Sequence, residues 1–378
     1  MKKYPIIELV VKIASRCNLN CTYCYEYNMG DETWKKASKF MSLATAEKLS
    51  KRVNEHIKEF NLTEFSFGLH GGEPLLMSPK KLDELVCAFK SHIDKDVFLN
   101  FGLQSNATLI SKEHIEVFKK HNIYISISLD GVESVHNKNR VDLKGQDTWS
   151  EVISGIDLLK KEAPELFVGL LSVIDIESDP IENFDFLSQF GVSVDFLLPL
   201  RNFDNPPFYP NSEPLAYGKF YFKIYEQWVK GRNSHIDIRF LKNIITQLMG
   251  GQAIYEVMTT YPIGLLTIST DGFIEGVDSI KSIGRELQVT NMHINDFSFN
   301  QALDHELVKM RQTGIDGLNE KCKKCKYLQG CSGGYLPDRY STEKGFDNPS
   351  VYCNDLYWLL ENIELDIKKK ILYESVNA

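Results

Sequence analysis

The sequence predicts an α/β fold built on a parallel sheet, and two observations lead to this prediction. Strand-like apolar runs alternate with amphipathic stretches over roughly the first 200 residues, and alternating βα units form parallel sheets with crossover helices. Small polar side chains close several of the runs, at the strand ends where α/β barrels bind ligands. The predicted strands are IIELVVKI, EFSFGLH, VFLNFGLQ, IYISISL, LFVGLLSVI and VDFLLPL.

The stretches between these strands have the apolar spacing of helices. Five helices are predicted, over 42–59, 78–93, 111–120, 148–161 and 180–189. A Pro- and Asn-rich linker follows at 202–214, then helices at about 215–229 and 240–250. The strings LLTIST and FIEGV flank an Asp-Gly turn and predict a hairpin. A long helix is predicted from about Tyr352 onward.

Composition excludes several classes of protein. The chain has 378 residues, enough for two or more domains, and a net charge of -8, which argues against a general nucleic-acid binder. No apolar run reaches the roughly 18 residues of a membrane span, and no signal peptide is recognisable. We therefore expect a cytoplasmic protein with neither nucleic acid nor membrane as a partner. Seven of the eight cysteines form two clusters, which favours metal over disulfides. The eighth, Cys87, is predicted to be a buried core residue of a helix.

The first cluster is Cys17, Cys21 and Cys24, in the string SRCNLNCTYCYEY. Three thiolates at this spacing can hold three irons of a cubane cluster and leave the fourth iron open to a ligand. A zinc knuckle or three buried thiols are the alternatives, but zinc wants four ligands, usually in CxxC pairs.

A second motif follows the next predicted strand: Gly71, Gly72, Glu73 and Pro74. Paired glycines let a backbone edge approach a ligand closely, although GGEP alone is an ordinary strand-end turn. CxxxCxxC, with Tyr23 before its last cysteine and GGEP one βα unit later, resembles the radical S-adenosylmethionine (SAM) enzymes.

That resemblance implies a partial (βα)6 TIM-like barrel, SAM, and a SAM-binding 4Fe–4S cluster on Cys17, Cys21 and Cys24. It also implies domain boundaries of 1–203 for the barrel, 204–258 for the linker and bridging helices, and 259–378 for an auxiliary domain. Ser128 and Arg140 are expected to reach the SAM carboxylate and ribose, and Leu197 or Leu198 to flank the adenine. The other expected cofactor-binding residues are Tyr23, Gly71, Gly72, Glu73 and Asn106.

The second cluster comprises Cys322, Cys325, Cys331 and, 22 residues further on, Cys353. Four thiolates at this spacing can hold zinc or a fully ligated 4Fe–4S cluster. Together with the first motif, the pattern resembles the SPASM/twitch-like extension of radical SAM peptide-modifying enzymes. Val277 and Tyr335 stand where that family has further cysteines. The resemblance therefore implies one auxiliary 4Fe–4S cluster rather than two.

Two C-terminal strings narrow the resemblance further. DGFIEGVDSIK and CSGGYLPDRYSTEKGFDNPSVYC are similar to the cyclophane-forming (triceptide) maturases of ribosomal peptides, except that Asp338 replaces their usual His. The implied reaction is a 5′-deoxyadenosyl radical abstraction that joins an aromatic ring carbon to the Cβ of a residue two positions on. Asp278 is the expected general base. The alternative for Asp278 is an ordinary solvated carboxylate at a strand end, while Asp271 is expected to be a turn residue.

The implied partners are a ribosomal precursor peptide, with leader and core, and an electron donor such as flavodoxin or ferredoxin. No leader-binding domain is recognisable, so the leader is expected on an exposed sheet edge or on a separate partner. Other radical SAM peptide chemistry is the nearest alternative: thioether formation, epimerisation, or oxidation of Ser or Cys. A non-catalytic metal-binding protein that docks peptides is the alternative of a different class.

Overall fold

The computed structural model describes residues 3–231, 233–252, 255–284 and 286–377, with side chains described up to residue 370. The chain divides into two compact units that interleave along the sequence. The first unit comprises Met1–Leu129, His136–Leu170 and Ile263–Gln312, and the second comprises Asp130–Val135, Leu171–Pro262 and Thr313–Ala378. The domain boundaries proposed from the sequence follow chain order and stay predictions.

The described residues contain nine strands. They are β1 Glu8–Ala14, β2 Glu64–Gly71, β3 Phe98–Ser105, β4 Ile123–Ser128, β5 Phe167–Val173, β6 Ser193–Leu197, β7 Leu265–Ile268, β8 Phe273–Glu275 and β9 Val289–His293.

The α-helices of the described residues range from one turn to 25 residues. They are α1 Thr33–Lys36, α2 Leu43–Phe60, α3 Pro79–Lys90, α4 Lys112–His121, α5 Glu133–Asn139, α6 Trp149–Glu162, α7 Pro180–Ser188, α8 Ala216–Lys230, α9 Arg239–Leu248, α10 Phe299–Ala302, α11 Glu306–Lys309, α12 Glu320–Lys323, α13 Leu328–Cys331 and α14 Cys353–Asn377. The six strands and five helices predicted for the βα region are confirmed to within a few residues, the usual uncertainty of element ends.

The first unit is built on a sheet in the order β4-β3-β2-β1-β7-β8-β9. Strands β1 to β4 are parallel, as predicted, and β7 adds to the free side of β1, also in parallel. The predicted hairpin is confirmed as the antiparallel pair β7–β8, and β9 extends it. Strands β7, β8 and β9, which follow the predicted linker in the sequence, thus extend the sheet beyond β1.

Side chains alternate along β1 and β2, so the two faces of the sheet have different environments. Phe65, Phe67 and Leu69 of β2 are buried on one face, where Phe67 stacks on the ring of Phe101 with centroids 5.1 Å apart. His70 lies on the other face, directly beside Lys12 of β1 in the parallel register. This pairing puts two polar side chains together at the carboxyl ends of the two strands.

Helix ends follow the capping chemistry of their sequences. Ser42 begins α2 by accepting a hydrogen bond from the Thr45 backbone N–H at 3.0 Å, and Ser111 begins α4 in the same way. Asn61 and Asn122 end these helices in the left-handed conformation, which Asn tolerates better than most residues. Local sequence therefore fixes where each crossover helix starts and stops.

The second unit packs its long helix α14 against α8. Gly218 of α8 allows this close approach, because a Cβ there would lie 2.6 Å from the Asp355 carbonyl oxygen. The Asp355 carboxylate accepts hydrogen bonds from the Gly218 backbone N–H at 2.9 Å and from Tyr209 Oη at 2.6 Å. None of the helices searched among the described residues has the length and apolarity to cross a membrane.

Candidate active site

The loop that carries the first three cysteines follows β1 in the first unit. Its backbone is fixed to a neighbouring segment, because Asn20 N donates to Val141 O at 2.8 Å and Thr22 N donates to Asn139 O at 2.9 Å. A tight turn, with Cys24 N bonded to Cys21 O at 3.0 Å, brings the last two cysteines together. The loop is therefore an ordered feature of the fold.

The chemistry of these thiols fits an iron–sulfur cluster. All three are free, with no disulfide, and they interact electrostatically with one another. Burial first, then neighbouring carboxylate and thiol groups, raises the pKa of Cys17 and of Cys24 to about 12. Backbone N–H groups also point at the sulfurs, including Leu19 N at 3.3 Å from Cys17 Sγ. A bound metal supplies the positive charge that three buried thiolates need.

The GGEP edge lies directly against the cysteine loop. Gly72 N donates to Ala14 O at 2.9 Å, and Glu73 N donates to Arg16 O at 2.9 Å. A Cβ on Gly72 would lie 1.9 Å from Tyr27 Oη, and one on Gly71 would lie 2.1 Å from Ala14 O. Only glycine fits this approach, so the paired glycines are explained by the backbone contact.

The Glu73 carboxylate is buried and makes its hydrogen bonds to other groups of the protein. It accepts hydrogen bonds from Leu75 N at 2.9 Å, Ser105 Oγ at 2.8 Å and Asn106 N at 2.7 Å. Asn106 in turn places its side-chain amide 3.8 Å from Cys17 Sγ. The carboxylate thus joins the ends of β2 and β3 and orients Asn106 toward the cysteine loop.

The remaining predicted cofactor-binding residues occupy separate places. Arg140 is buried and donates from Nη1 to Tyr23 Oη at 2.8 Å, which brings these two predicted residues together beside the cysteine loop. Ser128, at the end of β4, accepts a hydrogen bond from the Gln104 side chain at 2.9 Å. Leu197 belongs to the second unit, where it is half-buried at the end of β6 and its carbonyl accepts from Ile174 N at 3.0 Å.

Asp278 lies in a buried charged network in the first unit. Its Oδ2 accepts from Lys12 Nζ at 2.6 Å and from Tyr25 Oη at 2.8 Å. The side chain is only 11% exposed, so the alternative of a solvated strand-end carboxylate is wrong. Asp271, by contrast, occupies the predicted turn before β8, where it accepts from Ser38 N.

Two lysines hold the network together. Lys12 Nζ lies 2.5 Å from Glu26 Oε1 as well as against Asp278. Lys281 Nζ lies 3.1 Å from Glu26 Oε2 and 3.3 Å from Glu275 Oε2. We name these five residues the lysine–carboxylate cluster: Lys12, Glu26, Glu275, Asp278 and Lys281.

The lysine–carboxylate cluster sets the ionisation of its members. Burial alone would raise the pKa of Asp278, but the neighbouring positive charges, that of Lys12 first, together with the hydrogen bond from Lys12, outweigh burial and hold that pKa well below its usual range. Burial raises the pKa of Glu275, which Lys281 offsets only in part. Burial, followed by the Lys12 charge, lowers the pKa of His70 to about 4. Asp278 is therefore an ionised carboxylate beside a neutral imidazole.

The four cysteines of the second cluster lie together in the second unit. They are free, and the thiols of Cys322, Cys325 and Cys353 all interact electrostatically with Cys331. Arg339 binds the adjoining loop through the Ser332 carbonyl, at 3.0 Å from its Nη2, and its charge favours the thiolate forms. This donor set also fits a metal cluster.

Asp338, the residue that replaces the usual His of the cyclophane-forming family, is buried in the second unit. Burial raises its pKa well above the usual range, and neighbouring Arg339 lowers it less. Among the described residues, its Oδ1 atom has no hydrogen-bond partner. Burial therefore favours the protonated form of Asp338 in the folded chain.

The prediction for Cys87 is wrong, because its side chain is exposed. The buried face of α3 is formed by Leu82, Leu85, Val86 and Phe89, and Cys87 lies off this stripe. Its thiol is close to Asp83 and His121, as potential metal ligands would be. However, Lys120 pairs with Asp83 and Lys90 contacts the His121 ring, and these cations disfavour a metal there.

Comparisons with known proteins decide the class of this site. Residues 11–185 match the Radical SAM superfamily. The matched stretch includes the cysteine loop and the GGEP edge. The cysteine-type anaerobic sulfatase-maturating enzyme of Clostridium perfringens is 26% identical to the chain, over 92% of this chain and 94% of the enzyme. The serine-type enzyme of Bacteroides thetaiotaomicron is 23% identical, over 97% of this chain and 92% of the enzyme.

Solved structures agree on the fold. Native anSMEcpe with bound AdoMet matches with a TM-score of 0.82 and 23% identity, covering 95% of this chain and 98% of that chain. The same protein with AdoMet and the Cp18Cys peptide matches with a TM-score of 0.79, covering 95% of this chain and 99% of that chain. The predicted α/β fold class is confirmed. Because a radical SAM domain works with a 4Fe–4S cluster and SAM, those two cofactors are confirmed as well.

Sequence reasoning missed Lys12, Glu26, His70 and Lys281 as parts of the site. One signal was present: Lys12 interrupts the apolar run over residues 9–14 of β1, and strand alternation puts it on the face opposite to Val11 and Ile13. The partners of Lys12 lie on other segments of the chain, so only the folded structure brings them to it.

Proposed function

We propose that this chain is a radical SAM enzyme that oxidises a residue of a peptide or protein substrate, with Asp278 as the proton acceptor. The observation that carries the proposal is the 2.8 Å hydrogen bond from Tyr25 Oη to Asp278 Oδ2. Tyr25 directly follows Cys24, so this bond ties a buried carboxylate to the cysteine loop. A carboxylate there is placed to take a proton from a substrate bound at the mouth of the barrel.

In this proposal the cysteine loop and the GGEP edge bind the cofactors. Cys17, Cys21 and Cys24 hold the 4Fe–4S cluster, and the backbone of Gly71 and Gly72 contacts SAM. Arg140 supplies a cation for the SAM carboxylate, and Tyr23, Ser128 and Asn106 complete the part of the cofactor site that the first unit provides. When bound, the cluster and SAM supply the radical that removes a hydrogen atom from the substrate.

The chain's own contribution to the oxidation is proton removal. A substrate that has lost a hydrogen atom completes a two-electron oxidation by losing a proton and an electron. Asp278 takes the proton, because the Lys12 ammonium bound to it keeps it ionised. An external donor such as flavodoxin or ferredoxin supplies the starting electron. Cys322, Cys325, Cys331 and Cys353 would hold one auxiliary cluster, and the electron that the substrate loses would pass to this cluster or to the cluster on Cys17, Cys21 and Cys24.

The similarity to sulfatase-maturating enzymes supports a peptide or protein substrate, because it spans more than nine-tenths of the chain. The Clostridium perfringens relative is named a cysteine-type enzyme, and the Bacteroides thetaiotaomicron relative a serine-type enzyme. Oxidation of a Cys or Ser side chain is therefore the form of the reaction that the comparisons favour.

Aromatic-to-Cβ crosslinking is the second candidate, and a different observation favours it. Val277 and Tyr335 stand where two cysteines of the full SPASM pattern are expected, and the surrounding strings resemble the cyclophane-forming maturases. The lysine–carboxylate cluster surrounds the first of these positions with charged side chains. Both candidates need a proton acceptor. In side-chain oxidation the substrate radical loses a proton and an electron directly, whereas in crosslinking it first adds to an aromatic ring, which then loses them.

The test uses anaerobically reconstituted protein with SAM and a chemical reductant. Two substrates are compared: a sulfatase peptide, in Cys and Ser forms, and the short peptide encoded beside the gene. Side-chain oxidation removes two hydrogens from Ser. From Cys it removes two hydrogens to give a thioaldehyde, and hydrolysis then exchanges the sulfur for oxygen with release of hydrogen sulfide. A crosslink removes two hydrogens without Cys or Ser and suppresses fragmentation within a three-residue window that starts at an aromatic residue. Failure to form 5′-deoxyadenosine with either substrate overturns the enzyme proposal.

Asp278→Asn tests the proton acceptor, with Asp271→Asn as the matched control. We expect the Asp278 variant to form product roughly 10²–10⁴-fold more slowly while still cleaving SAM. The Asp271 variant carries the same chemical change at the hairpin turn and is expected to behave like the wild type. Equal product rates in the two variants would exclude Asp278 as the base.

A further inference from the structure

We propose that Lys12 is a positioning residue that presents one oxygen of Asp278 to the substrate and holds the other. This inference rests on the proposed role of Asp278 as the proton acceptor. It adds a residue of the first strand to the site, and it predicts a distinct defect when that residue is changed.

The geometry around Asp278 separates its two oxygens. Lys12 Nζ and Tyr25 Oη both bind Oδ2, at 2.6 and 2.8 Å. Within the described part of the chain, Oδ1 accepts no hydrogen bond, and it is not an orphaned buried atom. Two donors on one oxygen fix the plane of the carboxylate and leave Oδ1 as the oxygen that can accept a proton.

Lys12 is itself held from three sides. Besides Asp278, its ammonium contacts Glu26 Oε1 at 2.5 Å and His70 Nδ1 at 3.1 Å. The side chain is only 5% exposed, and the ring of Tyr25 lies 5.5 Å from Nζ. An ammonium with this many partners cannot swing away, so its position determines that of Asp278.

The other charges near Asp278 cannot replace Lys12. His70 is neutral and contacts the lysine rather than the carboxylate. Lys281 is occupied by Glu26 and Glu275 and makes no hydrogen bond to Asp278 among the described residues. Without Lys12, the three buried carboxylates of the cluster would face a single remaining ammonium, that of Lys281.

Stability alone does not account for such a pair. The desolvation of buried ions offsets most of their attraction, and replacing them by apolar residues is often neutral or stabilising. The pair lies at the carboxyl end of β1, on the face where α/β barrels bind ligands. Buried ionisable pairs at such places are candidates for function.

The test compares Lys12→Met with Lys12→Arg in cluster-loaded protein, at saturating SAM and with the same peptide. Product and 5′-deoxyadenosine are measured together across pH. For Lys12→Met we expect product formation to fall at least about 100-fold while 5′-deoxyadenosine formation continues. The remaining product rate should rise with pH, because Asp278 without its ammonium loses its proton only at higher pH. Lys12→Arg should retain coupling and the wild-type pH profile.

Lys90→Met is the control, because it makes the same chemical change at a part-buried lysine of α3 whose hydrogen-bond partner is His121 rather than Asp278. Its ratio of product to 5′-deoxyadenosine should stay at the wild-type value. If Lys12→Met does not retain its clusters, Lys12→Gln keeps a hydrogen-bond donor and tests the pH shift alone. Product and 5′-deoxyadenosine that fall in parallel, with an unchanged pH profile, would overturn the positioning role. Wild-type protein that forms neither compound would instead overturn the proposed function.

Discussion

The Lys12 ammonium lies 2.6 Å from the Asp278 carboxylate although 266 residues separate the two in the sequence. The contact joins the first strand of the barrel to the segment that follows β8. It exists because β7 pairs with β1 in parallel and so carries the β7–β8 hairpin to the edge of the first strand. The proposed proton acceptor is thus brought to β1, within the first unit, by a later part of the chain.

Gly72→Ala should disrupt the contact between the GGEP edge and the cysteine loop. The new Cβ would lie 1.9 Å from Tyr27 Oη and 2.4 Å from the Arg16 carbonyl oxygen, so these groups must move. We expect SAM affinity to fall at least about tenfold, measured by calorimetry on cluster-loaded protein. Gly68→Ala, on the same strand, meets nothing closer than 3.6 Å and should bind SAM normally. Equal affinities would show that the glycine approach does not shape the SAM site.

Glu73→Gln should destabilise the first unit. All three donors to the carboxylate are protein groups, and an amide turns one of its two acceptor oxygens into a donor that faces another donor. We expect the free energy of unfolding to fall by about 1–3 kcal/mol, seen as a lower thermal midpoint of the cluster-loaded protein. Glu84→Gln, on the exposed face of α3, is the control and should leave the midpoint unchanged.

Cys87 should be the thiol that reacts first with a maleimide in cluster-loaded protein, because it is exposed and lies outside both cysteine clusters. Cys87→Ser should remove this labelling and leave the iron content and the rate of SAM cleavage unchanged. Cys331→Ser offers the contrast, since the loss of a proposed ligand should lower the iron content by about half. Loss of iron in Cys87→Ser would refute the assignment of Cys87 as a surface residue.

Asp338→Asn should make stability less sensitive to pH. The pKa of Asp338 is raised in the folded chain, so between the ordinary pKa near 4 and the folded pKa the native state holds a proton that the unfolded state has released. Stability then falls as pH rises across this window, by about 1.4 kcal/mol per pH unit. The variant should therefore have a higher thermal midpoint than the wild type at pH 8, with a smaller difference at pH 6.

The control for that comparison is Asp316→Asn, which makes the same chemical change at an exposed turn of the second unit. It should follow the wild-type pH dependence. If Asp338→Asn also follows it, the Asp338 side chain is ionised in the folded protein and its burial is compensated in another way.

The sequence by itself determined the local features of this protein. Apolar alternation located the six strands of the βα region, and capping residues such as Ser42 and Ser111 located helix starts. Cysteine spacing and GGEP identified the radical SAM chemistry, because ligand spacing within one loop is a local property. The amphipathic pattern of α3 is also sufficient to predict that Cys87 is exposed, since positions 82, 85, 86 and 89 form one face and residue 87 lies off it.

Only the tertiary structure decided which distant residues meet. Nothing in the local pattern of β7 specifies β1 as its parallel partner, because strand pairing depends on the sheet as a whole. The lysine–carboxylate cluster draws its members from β1, the cysteine loop and the β8 region. Isolated in the sequence, each member is an ordinary charged residue. When these residues are buried together they form a coupled site, because each charge in a low-dielectric interior requires a specific partner.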